Sequence, residues 1–206
     1  MAQTWKKIVE ADPEHSRRYA QRWDDMVAEG MDIDGEARLA DAMAPRGARI
    51  LDVGCGQGRM GVYLHARGHR VTGVDIDPYL VERARQSAPD AEWEVADLAD
   101  DGWARGPFDL AVSAGNVLAF VDPADRGTVL SNLASRLATP EESTDGQAGR
   151  LVVGFGLDRG WTREEFDAEA QRAGMRVEQR WSTWDLRPFG DDDGFMVVVL
   201  VRDSAV

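Results

Sequence analysis

Apolar residues fall along this chain in short clusters whose spacing alternates between the strand and helix periods. Residues 49–53 form a compact apolar run closed by glycines and predict a first strand. Residues 59–67 continue at helical spacing, with Gly68 placed to stop the helix. Residues 70–74 predict a second strand. Asp77 and Pro78 then supply a cap and a first-turn proline ahead of Leu80, Val81 and Ala84, the buried stripe of the next helix. Residues 92–96 and 108–113 predict strands three and four. Asp122 and Pro123 repeat the cap-and-proline pattern before Val129, Leu130, Leu133 and Leu137. Residues 150–155 predict strand five, and Thr162 to Glu165 reads as a capping box opening a helix that carries Phe166 and Ala170 up to Gly174. Residues 175–184 and 195–202 predict two last strands joined only by a turn at 191–194.

Strand–helix alternation implies a parallel sheet with helices on both faces. The two last strands lack a crossover helix and should pair antiparallel. The expected fold class is α/β: a doubly wound, seven-stranded, mostly parallel Rossmann-like sheet with an antiparallel last strand. Upstream, residues 13–30 and 34–43 read as helices. One compact domain is expected, with residues 1–44 as an N-terminal helical lid and 45–206 as the ligand-binding α/β part. The polar stretch 139–149 reads as a surface loop.

In such a sheet, ligands bind beyond the carboxyl ends of the strands, where the strand order reverses. The first strand runs into Leu51-Asp52-Val53-Gly54-Cys55-Gly56-Gln57-Gly58, whose glycines permit a tight turn and close ligand approach. The dinucleotide fingerprint would place its third glycine or alanine where Arg59 stands. Asp52, at the mouth of the loop, opposes a pyrophosphate and suits a ligand carrying an ammonium and a sulfonium. Strand two ends in Val74-Asp75-Ile76, and an acidic residue there can accept from both ribose hydroxyls, a feature NAD enzymes share.

Ile50 to Gly58 resembles the first motif of the class I S-adenosylmethionine-dependent methyltransferases. The resemblance continues through Gly73-Val74-Asp75-Ile76, Val95-Ala96-Asp97-Leu98, and Phe108 to Val112 leading into Ser113-Ala114-Gly115-Asn116. It covers roughly residues 45–160 and implies S-adenosylmethionine as cofactor, with S-adenosylhomocysteine as product. By that resemblance Gly54, Cys55 and Gly56 line the methionine part through their backbone, and Asp52 acts on its amino group. Asp75 holds the ribose, Ile76 packs on the adenine, Asp97 accepts from the adenine amino group and Leu98 lies beside the ring. Ala114 and Gly115 meet the methionine end, and Tyr19 and Arg22 close over the cofactor from the N-terminal helices.

Length and composition fit this reading. The chain has 206 residues, 43% of them hydrophobic, enough for one core without disulfides or metals. A net charge of −13 disfavours nucleic acid, whose affinity comes from Lys and Arg neutralising phosphates. Neither a membrane-length apolar run nor a secretory leader is evident, and Cys55 is the single cysteine, so a cytoplasmic setting is expected. No spacing suggests a metal site. His65 and His69 straddle Gly68, so a shared helical face is not expected and both are read as exposed.

The methyl acceptor is the least legible feature. Methyl transfer from a sulfonium needs positioning more than a strong base, and no triad announces itself. Ala114 to Val117 is not the Asn/Asp-Pro-Pro-aromatic pattern of amino-methylating enzymes, which favours a small-molecule acceptor. His15, Asn116 and Asp185 are the candidate catalytic residues, His15 on residue type alone. His15, Tyr19, Trp23, Phe120, Phe155, Trp161 and the segment 184–189 are expected to wall the acceptor pocket, with Asp185 and Arg187 either gripping substrate or forming an exposed ion pair. Two other readings stay open: a protein that binds S-adenosylmethionine or its product without transferring methyl, and an NAD-linked oxidoreductase.

Overall fold

The computed structural model describes residues 4–203. Seven strands form one sheet in the order β3-β2-β1-β4-β5-β7-β6. They are β1 (Arg49–Val53), β2 (Arg70–Asp75), β3 (Glu92–Val95), β4 (Leu110–Ser113), β5 (Arg150–Gly156), β6 (Met175–Trp181) and β7 (Phe195–Arg202). All neighbouring pairs are parallel except those of β7, which runs antiparallel to both β5 and β6. The order reverses between β1 and β4, so a crevice opens beyond their carboxyl ends.

Seven α-helices accompany the sheet among the described residues: α1 (Trp5–Ala11), α2 (His15–Ala28), α3 (Gly35–Met43), α4 (Arg59–Ala66), α5 (Pro78–Ser87), α6 (Arg126–Arg136) and α7 (Arg163–Arg172). Strand alternation splits the core in two. Leu51 and Val53 face the side where α6 and α7 bring Leu130, Leu133 and Phe166. Ile50 faces the other side, against Ala37 and Ala40 of α3 and Leu64 of α4. No helix is long and apolar enough to cross a membrane among these residues.

Several local expectations hold. Asp77 caps α5 through Tyr79 and Leu80 N–H, with Pro78 at the first turn, and Thr162 and Glu165 form a reciprocal capping box. Others shift. Asp122 and Pro123 do not open α6; the Asp122 carboxylate closes a turn by accepting from Ala124 N–H, and the helix begins at Arg126. β4 starts at Leu110, because Phe108 makes only an isolated bridge to Leu137. The β6–β7 connection, residues 182–194, is longer than a turn, since Trp184 folds back over Gly154 of β5. Helix α1 is an addition: its Thr4 cap was present in the sequence but its few apolar residues form no buried stripe.

Within the expected N-terminal segment the helices differ in burial. Helix α3 is core, with Ala37 and Ala40 buried against the sheet, whereas α1 buries no residue and α2 only Ser16 and Ala20. Residues 1–3 of the expected lid lie outside the described residues. His69 is buried rather than exposed, because the turn after α4 tucks its ring against α3, where Nε2 lies 2.9 Å from Asp41. His65 is half-buried.

Candidate functional site

A cleft of about 900 Å³ lies over the carboxyl ends of β1, β2, β3 and β4. Its floor comes from the strand-following loops and its roof from α1 and α2. Gly54 opens the floor. It adopts φ +71°, and a Cβ there would collide with the Val117 side chain, so only glycine lets the β1 and β4 loops meet. Gly54 and Cys55 N–H both donate to Val74 carbonyl, which pins the loop against β2.

Asp75 sits at the centre of the floor. Its Oδ2 accepts from Gly56 N–H at 2.8 Å and its Oδ1 from Asp77 N–H at 2.9 Å. Each oxygen keeps a lone pair for a further donor. Burial pushes this carboxyl up to about 6, against the pull of the Asp77 and Gly56 N–H groups. Ile76, Asp97, Leu98, Gly115 and Asn116 line the same cleft. Asp97 Oδ1 accepts from Ala99 N–H at 3.0 Å, a turn cap, while Oδ2 receives the Lys6 ammonium at 2.6 Å. Burial would raise Asp97, but Lys6 and Ala99 together hold it below its ordinary value.

The roof is aromatic and cationic. Trp5 stands edge-on to His15, Tyr19 and Phe120, with ring centroids 5.1, 5.3 and 6.2 Å away. Tyr19 continues to Trp23, and the Arg22 guanidinium lies 5.2 Å from the Tyr19 ring centre. All of these residues line the cleft.

The structure thus brings together Gly54, Gly56, Asp75, Ile76, Asp97, Leu98, Gly115, Asn116, Tyr19, Arg22 and His15. Four expected site residues have side chains that lie outside the cleft, although Cys55 was expected to act through its backbone, which stays in the loop between Gly54 and Gly56. Asp52 shares the face of Ile50, two positions earlier, and so points under α4; it is 2% exposed and accepts from Gly61 N–H at 2.9 Å. Burial pushes its carboxyl up to about 7. Cys55 is turned into the sheet beside Trp93, where burial pushes its thiol well up. Ala114 packs toward the α3–α4 side. Asp185 is an exposed partner of Arg187 at 3.1 Å, outside the cleft. Phe155 and Trp161 are core, and the 184–189 segment turns away because Trp184 covers Gly154.

Asn116 lines the cleft in a left-handed conformation, and its Oδ1 accepts from Gly156 N–H at 2.7 Å, tying the β4 loop to the end of β5. That oxygen is committed to structure. Residues that sequence reasoning missed are Trp5, Lys6, Ser16 and Asp77. The signal available was Thr4 followed by Trp5 and Ile8 at helical spacing. Among the described residues no group of three His, Cys, Asp or Glu is arranged to hold a metal ion.

A doubly wound sheet with 3-2-1-4-5-7-6 order, a glycine loop after β1 and a half-buried carboxylate at the end of β2 defines a nucleoside-cofactor enzyme of Rossmann-like type. Residues 50–139 match the family model described as a methyltransferase domain. The crystal structure of a TehB-like SAM-dependent methyltransferase from Corynebacterium glutamicum is 47% identical, covers 93% of this chain and 100% of that one, and superposes with a TM-score of 0.86. Magnesium-protoporphyrin O-methyltransferase of Rhodobacter capsulatus is 33% identical over 140 residues, 64% of this chain and 58% of that enzyme. An uncharacterized methyltransferase of Mycobacterium tuberculosis is 38% identical over 105 residues, 50% of this chain and 51% of that one. The chain thus spans little more than half the length of these two curated relatives. It belongs to the S-adenosylmethionine-dependent methyltransferases, and S-adenosylmethionine is its cofactor. The NAD reading falls with that assignment.

Proposed function

We propose that this chain transfers the methyl group of S-adenosylmethionine to a small-molecule acceptor held under α1 and α2. The observation that carries the reading is Asp75, a half-buried carboxylate with one backbone donor on each oxygen, set in a cleft wide enough for a cofactor and a second small ligand. Two lone pairs facing the cleft fit the two hydroxyls of a ribose. Lys6 and Lys7 pair with Asp97 and Asp122 at the rim, which leaves Asp75 as the carboxylate at the centre of the floor.

In this reading Asp75 holds the ribose, Ile76 and Leu98 flank the adenine, and Asp97 accepts from its amino group. Gly54, Gly56 and Gly115 let the backbone approach the methionine part, while Tyr19 and Arg22 close from above. The cofactor supplies an already activated methyl carbon. The chain's own residues have to align the acceptor with it and keep water out. Trp5, Tyr19 and Phe120 supply the apolar wall for that, and His15 is the cleft residue suited to take a proton from the acceptor. A small-molecule acceptor also fits the name of the Rhodobacter capsulatus relative.

Calorimetric titration with S-adenosylmethionine, S-adenosylhomocysteine and NAD on wild type and Asp75→Ala tests the site. Micromolar binding of both sulfur compounds, lost in the variant and absent for NAD, is expected. Failure of well-folded wild type to bind either one would refute the cofactor assignment. Binding without product across a broad acceptor panel would favour a non-transferring binder instead.

A further inference from the structure

We infer that Trp5 is a positioning residue: through Asp77 its indole N–H joins the ribose-binding loop to the wall of the acceptor cavity. The inference rests on the cofactor reading above and adds three groups which that reading does not use: the Trp5 indole N–H, the Asp77 carboxylate and the Ser16 hydroxyl. A continuous chain of hydrogen bonds runs from floor to roof. Gly56 N–H donates to Asp75 Oδ2, and Asp77 N–H donates to Asp75 Oδ1. The Asp77 side chain then divides its two oxygens. Oδ1 caps α5 through Tyr79 and Leu80 N–H, at 2.9 and 3.2 Å. Oδ2 accepts from Trp5 Nε1–H at 2.9 Å and from the Ser16 hydroxyl. Asp77 is 4% exposed, so this carboxylate bonds away from water, where a charged acceptor is strongest.

The far end of the chain is the acceptor wall. The Trp5 indole is the hub on which His15, Tyr19 and Phe120 pack edge-on. Moving Trp5 therefore moves the wall, and releasing Asp77 disturbs the groove that holds Asp75. Nothing else fixes α1 as firmly. It buries no residue, and its other ties, Lys6 to Asp97 and Lys7 to Asp122, use lysines more than half exposed, at 56% and 53%. Exposed pairs of that kind contribute little. Among its polar ties the segment is thus held chiefly by one part-buried bond that shares a carboxylate with the cofactor loop. Cofactor binding stiffens that loop and with it the wall, so the acceptor should enter a formed pocket only after the cofactor is in place.

Two substitutions isolate the bond. Trp5→Phe keeps an aromatic body and loses the donor. Asp77→Asn keeps an oxygen to cap α5, since asparagine caps as well as aspartate, but presents N–H groups where Trp5 needs an acceptor. Each is expected to weaken S-adenosylhomocysteine binding about tenfold, mainly through faster dissociation in stopped flow. The double variant should be no weaker than Asp77→Asn alone, because Trp5→Phe removes a bond that Asp77→Asn has already removed together with the acceptor of Ser16. Melting temperature should stay within about 2 °C of wild type for Trp5→Phe, a readout that a purely structural role would move instead. S-adenosylhomocysteine should slow tryptic cleavage after Lys6 and Lys7 in wild type and fail to do so in Trp5→Phe. Wild-type affinity and dissociation rate in Trp5→Phe, or effects of the two variants that multiply, would overturn the inference while leaving the cofactor site intact. Absence of binding by wild type would overturn both.

Discussion

Asp75 and Asp52 differ by one strand and one exposure, and the two carboxyls have opposite uses. Asp75 sits where a ligand can reach it with its protonation midpoint pushed up to about 6 by burial. Ribose hydroxyls donate to the charged form, so cofactor affinity should be flat above about pH 7 and fall as pH drops through 6. Calorimetry across pH in Asp75→Asn, which cannot titrate, should show a weak, pH-independent affinity. Asp52 lies under α4 at 2% exposure, and burial pushes it up to about 7 from an ordinary 3.8. Below about pH 4 both folded and unfolded forms are protonated there. Between 4 and 7 only the unfolded form loses its proton, so this group takes stability away as pH rises and takes no more above 7. Asp52→Asn should therefore melt near wild type at pH 4 and above it at pH 8. The sequence brought Asp75 to the cleft floor because the end of a central parallel strand opens on the crevice. It did not show that Asp52 turns under α4, because a motif lists residues in order without saying which face each side chain takes. The parity with Ile50 held that answer.

At the level of elements, the far end of the sheet has its own anchor. Asp109, just ahead of β4, accepts from the Arg49 backbone N–H and guanidinium and from Thr144 N–H and hydroxyl. Burial alone would raise it, yet these donors outweigh burial and hold it well below the usual carboxylate range. A lowered carboxyl adds stability above its unfolded value of about 3.9 that is lost on acidification. Asp109→Ala leaves the Arg49 guanidinium half-buried without its partner and should cost about 3 kcal/mol, roughly 10 °C in melting temperature. Cofactor affinity should not change, because the cleft lies at the other end of β4. Strands and their caps were legible in the sequence because apolar runs and Asp77-Pro78 are local signals. Helix α1 was not, since its hold on the fold is a contact with a residue 72 positions away. Asp122-Pro123 misled for a related reason: an aspartate that closes a turn and one that caps a helix look alike until the next turn is seen.

Across the whole molecule, the proposed cofactor floor was readable and the proposed acceptor wall was not. Residues 50–139 carry the family pattern, whereas the wall assigned to the acceptor draws on side chains of α1, α2 and the Val117–Phe120 turn that meet only in three dimensions. The difference in burial between α3 and the two helices before it has a direct test. Deleting residues 1–14 should leave a cooperative melt close to wild type and abolish tight S-adenosylhomocysteine binding, whereas deletion through residue 44 should prevent folding by removing Ala37 and Ala40 from the core. Last, the single thiol of this chain is stored inside the cofactor loop at 7% exposure. A chemist gains from that a built-in reporter. A colourless-to-coloured thiol reagent should react only when the loop or the whole domain opens, so the colour develops at the pace of the protein's own breathing. Cofactor at about a hundred times its Kd should retard that colour about a hundredfold if the route is global opening, which reads affinity without any label, substrate or knowledge of the acceptor.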